Sequence, residues 1–111
     1  MSLDLYLACP TCHHAPHETF NITHNVHRIC AEAGTDPWEW EGRTGASVVG
    51  ELNAAIAALS TRPDHFQQWA PENGWGSVSG TRDFLRRIRS YLEDVAAEHP
   101  ERLSWTWRVC R

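Results

Sequence analysis

Lysine is missing from this sequence: all ten basic residues are arginine. A P-loop would therefore lack its phosphate-binding lysine. Positive charge is also in the minority. Fourteen carboxylates leave a formal charge of −4 and a pI near 5.9. That argues against general nucleic-acid binding, which rests on neutralising phosphates. Arginine's planar fork still permits a local site for carboxylate or phosphate. No apolar run reaches the ~20 residues that a membrane helix needs. The opening segment, 1–9, carries Asp4 and no basic residue, so no signal peptide is expected. The expected location is cytoplasmic. No internal repeat, low-complexity tract or domain linker interrupts the chain.

A chain of 111 residues fits one domain, 1–111. Such a domain buries roughly 65% of the surface its unfolded chain exposes, so its core requires neither disulfide nor metal. Hydrophobic residues make up 41%, which argues against disorder. The six tryptophans are expected to divide between core and interface.

Leu3, Leu5 and Leu7 alternate with Asp4, Tyr6 and Ala8, which predicts a strand over about 3–8. Pro10 ends it, and Phe20–Ile22 reads as a short return strand. Leu103, Trp105, Trp107 and Val109 alternate with Ser104, Thr106, Arg108 and Cys110, a strand over about 103–110. Three helices are expected between the terminal strands. The first, about 24–33, has Val26, Ile29, Cys30 and Ala33 at helical spacing, Thr23 or Asn25 as cap, and Gly34 as stop. In the second, about 46–60, Glu51 is the lone charge up to Leu59, and Thr44 or Ser47 is the expected cap. The third, about 81–98, buries Phe84, Leu85, Ile88, Tyr91, Leu92 and Val95. Pro63–Trp69 reads as one further turn of helix. The fold class is α+β: a small antiparallel sheet from both termini, packed on three helices.

Cysteine and histidine are unevenly placed. Residues 9–30 hold three of the four cysteines and five of the seven histidines. Cys9-x2-Cys12, with Pro10 inside it, has the form of a zinc knuckle on a hairpin tip at 9–17. Zinc takes about four ligands. His17 and His24 are the expected partners, with His13, His14 and His27 as alternates. There is no second Cys-x2-Cys, which would have made the signal strong. The competing readings are plain. Cys30 packs as a small apolar residue, Cys110 is structural or a surface thiol, and the tip histidines simply decorate a polar turn. A redox pair would open a helix after a strand, and Pro16 opposes that. A deaminase site places its Pro before the cysteine pair, not within it. Cys12, His24 and Asp36 make a nucleophile, base and orienter in name only, since no spacing fixes their geometry.

Asn73–Ser77 has two glycines that permit an anion-cradling loop. A turn with Trp75 pinned on the core is the simpler reading. Arg82, Arg86 and Arg89 lie on one helix face, either as a phosphate site or as a solvated surface.

The segments 3–7, 21–25, 33–34, 42–47 and 73–77 together resemble a group of small uncharacterised proteins encoded by bacteriophages and by actinobacterial and other bacterial genomes. Asn-Ile-Thr-His-Asn at 21–25 and Asn-Gly-Trp-Gly-Ser at 73–77 carry most of the likeness, which spans most of the chain. No established activity comes with it. The resemblance implies that Asn21, Thr23 and Asn25 hold a strand-to-helix junction by side-chain to backbone bonds, or line a ligand site beside 73–77. Some relatives have an ordinary hairpin turn at 9–12. A metal would then be an added staple, which weakens His24 as its ligand.

Three functions follow as expectations. The first is a phage-type or bacterial accessory protein that binds a protein partner and carries a structural zinc. It predicts an exposed aromatic patch among Trp38, Trp40, Trp69 and Trp75. The second is a binder of a small anionic ligand such as a nucleotide, through Asn21, His24, Asn25, Asn73, Trp75 and an arginine, Arg82 or Arg86 foremost. The third is a metal-dependent or cysteine enzyme.

Overall fold

The computed structural model describes residues 2–15 and 18–111. The alternating leucines form β1, Ser2–Ala8, with Leu3, Leu5 and Leu7 fully buried. β2 (Phe20–Thr23) and β3 (Thr106–Cys110) flank it, both antiparallel, in the order β2-β1-β3. The N-terminal strand is thus central, and the C-terminal strand covers one of its sides. Register sets Phe20 and Val109 beside Leu5, and Trp107 beside Leu7, so one face of the sheet is apolar.

That face packs against α1 (His27–Ala33), α2 (Val49–Thr61) and α4 (Val78–Glu98) in a single core. A short helix α3 (Pro63–Phe66), with Pro63 in its first turn, continues as a 3-10 turn to Trp69. The molecule measures 42 × 28 × 18 Å; its short axis is about the depth of one sheet plus one helix layer. The sheet's other face is polar. There Asn21 donates to Asp4 at 2.7 Å, and Arg108 pairs with Glu41 at 3.0 Å.

The expected junctions hold at α1. Thr23 accepts the Asn25 N–H and caps a 3-10 turn, His24–Val26, while Gly34 ends α1 at φ 113°. Three boundaries differ. The last strand begins at Thr106 rather than near 103, because β1 ends at Ala8 and leaves earlier residues without a strand opposite. Leu103 sits instead in a 3-10 turn, Pro100–Ser104. The last helix begins at Val78, because Ser77 accepts the Gly80 N–H and starts it three residues early. Neither Thr44 nor Ser47 caps α2: the Ser47 hydroxyl donates to the Thr44 carbonyl at 2.8 Å. Among the described residues no helix is long and apolar enough to cross a membrane.

Candidate functional site

The chain leaves β1 into a tight turn. Cys9 N–H donates to the His14 carbonyl at 2.9 Å, and His13 N–H donates to the Cys9 carbonyl at 3.0 Å. His13 adopts φ 61° to close it. Inside the turn, the Cys12 N–H points at Cys9 Sγ (3.5 Å), and the Thr11 hydroxyl lies 3.3 Å from that sulfur. Hydrogen bonds from Cys12 and then Thr11 hold the Cys9 thiol down at about 6, so it is a thiolate at neutral pH. Cys9 is half-buried and Cys12 exposed. The His14 ring meets Trp105 edge-on at 5.8 Å. His17, a sequence-predicted ligand, lies outside the described residues.

His24 is not part of this turn. Ser2 pairs with Thr23, and His24 Nε2 donates to the Ser2 carbonyl at 3.0 Å. Cys9 follows the opposite end of β1. Seven extended residues put roughly 20 Å between them, against bonds of about 2.0–2.3 Å to zinc. The expected set of Cys9, Cys12, His17 and His24 on one ion is therefore corrected. The same geometry removes His27, whose Nε2 donates to both Asp36 oxygens at 3.0 Å. Both histidines flank the buried Trp38. His27 stacks on it at 4.4 Å, and His24 meets it edge-on at 5.6 Å. Among the described residues no three His, Cys, Asp or Glu side chains are arranged to hold a metal ion.

The expected aromatic patch is also corrected. Trp38 and Trp40 are buried in the core, Trp69 is half-buried, and Trp75 alone is 71% exposed. Trp75 sits on a loop that Asn73 organises by accepting the Trp75 N–H at 2.9 Å. The loop does approach the junction: a Cβ on Gly76 would stand 2.6 Å from Val26. The expected polar pocket does not form there. Asn73 serves its own turn, Asn21 serves Asp4, and His24 serves Ser2. Asn25 is exposed beyond its cap. Arg82 and Arg86 lie on α4 against Asp83, and Arg86 lines a different cavity, beside Phe20 and Tyr91.

Two arrangements were not legible in the sequence. The lone charge Glu51 receives Thr35, Trp40 and Arg43 on one carboxylate oxygen, at 2.9, 3.0 and 2.9 Å. It ties the 35–45 connection to α2 and edges an acidic cleft with Asp36 and Glu39. The second is the His27–Asp36 pair. Partners eight or more residues away leave no local signal. Compared with known proteins, the chain matches no family model, no curated protein and no solved structure.

Proposed function

We propose that this chain is a small binding protein carrying a structural zinc knuckle at its hairpin tip. The observation that carries the knuckle is the turn itself: two thiols three residues apart, with the Cys12 N–H directed at the Cys9 sulfur. Zinc binds thiolates, and a donor aimed at sulfur favours that form. Cys9 and Cys12 supply two ligands. His13 and His14 follow in the same turn, and His17 follows in the sequence. Bound there, zinc supplies cross-linking of the tip and no chemistry.

Metal content of untagged protein, measured by mass spectrometry, tests the knuckle. About one zinc per chain is expected, lost together with melting temperature in Cys9→Ser/Cys12→Ser. Absence of metal from both proteins overturns it. The partner reading is favoured by Trp75, a large apolar side chain left exposed on an anchored loop. Buried aromatic anchors dominate protein interfaces. Trp75→Ala is expected to keep the melting temperature and to abolish capture of a discrete protein from bacterial lysate. Equal capture by both proteins removes Trp75 from the interface.

A further inference from the structure

A cavity of about 360 Å³ opens between α4 and the residues entering β2. Its wall is aromatic, where Phe20 meets Tyr91 edge-on at 5.4 Å. Its rim carries both signs of charge. Arg86 and Arg87 stand near the middle of α4, Asp94 stands two turns on, and Ser90 and Tyr91 lie between. Glu18 joins from the chain entering β2. A rise of 1.5 Å per residue separates Arg87 from Asp94 by about 10 Å along the axis. The wall that α4 supplies therefore runs from positive at Arg87 to negative at Asp94.

Three of these charges are unpaired among the described residues. The other arginines of α4 have carboxylates: Arg82 and Arg86 face Asp83, and Arg89 faces Glu93. Arg87, Glu18 and Asp94 form no ion pair among the described residues. The Arg87 guanidinium instead lies over the Phe84 ring. The Tyr91 hydroxyl is closed to solvent and, among the described residues, has no hydrogen-bond partner, so it is the ring that faces the cavity. Burial pushes the hydroxyl's pKa up, which keeps it neutral.

We infer that this cavity binds a small zwitterion of amino-acid to dipeptide size. Its anionic end meets Arg87, its cationic end meets Asp94, and its body lies against the Phe20 and Tyr91 rings. Charge balance selects this class. A nucleotide would bring several negative charges to a rim with two carboxylates for its two guanidiniums, and Arg86 already contacts Ser60 and Asp83. A simple anion or a simple cation would answer only one end. The volume lies at the lower bound of small-molecule sites. The inference is independent of the knuckle and of Trp75.

The test is titration of the ¹⁵N-labelled full chain with γ-aminobutyrate and glycylglycine, followed by NMR, beside acetate and methylammonium. Saturable shifts at residues 86–94 are expected with a zwitterion, at concentrations where neither single-charge control acts. Arg87→Gln and Asp94→Asn lie at exposed positions. Each is expected to weaken binding about tenfold or more at an unchanged melting temperature. Absence of saturation with either zwitterion overturns the inference. So does acetate binding as tightly, indifferent to Asp94→Asn, which would make the cavity a plain anion site.

Discussion

Gly76 sets how closely the Trp75 loop meets the strand-to-helix junction. Its φ is +127°, and a Cβ there would stand 2.6 Å from Val26 Cγ1 and 3.4 Å from Thr23 Cγ2. Two penalties therefore coincide: a backbone region that side chains avoid and an overpacked contact with a buried residue. Gly74, two residues earlier, separates them. Its φ is +78°, with nothing near a Cβ, so only the backbone term applies. Gly76→Ala is expected to lose about 2–4 kcal/mol and Gly74→Ala about 1–2 kcal/mol, read from urea unfolding midpoints. Equal losses would mean that the loop is free to move away from Val26.

At the scale of elements, what was legible depended on what the signal required. β1 and α4 repeat apolar residues at their own period, and each appears where that period placed it, with Leu3, Leu5, Leu7 and Phe84, Leu85, Ile88 buried. Ends decided by a partner were not legible. β3 starts at Thr106 because β1 stops at Ala8, a fact about another strand. Ser77 as a cap was within reach of the sequence, since Ser before an apolar run marks a helix start. The expected ligand set does not form, for a different reason. His24 and Cys9 are fifteen residues apart in sequence, but they flank the two ends of one extended strand. Proximity along the chain therefore misleads wherever a hairpin returns. Trp38 and Trp40 sit in a Pro- and Gly-bearing connection that looks like surface. Both are core, and Glu51, in the first turn of α2, holds the connection inward by accepting the Trp40 indole N–H.

For the molecule as a whole, the four cysteines report on its cooperativity. Cys30 is fully buried in the single cluster that joins the β1 leucines, α2, α4 and Trp107. Burial first, and Asp36 second, push its thiol up to about 12, so it stays protonated and inert at any ordinary pH. Cys9 stands at the other extreme, at about 6, while Cys12 and Cys110 are exposed. Only the thiolate reacts with an alkylating agent. In metal-free protein the Cys9 rate should rise about tenfold per pH unit below about pH 6 and level off above it, because the deprotonated fraction saturates there. Cys30 has a further barrier, since α1 packs on the same core as every other major element and its exposure requires that core to open. At the stability usual for such domains its labelling should be slower by a factor of about 10⁴ or more than in the unfolded chain. Peptide mapping after iodoacetamide treatment across a urea series gives both rates. Cys30 labelling that climbs with urea along the global unfolding curve confirms one cooperative unit. Labelling that is indifferent to urea would instead mean that α1 detaches by itself while the sheet and α4 stay folded.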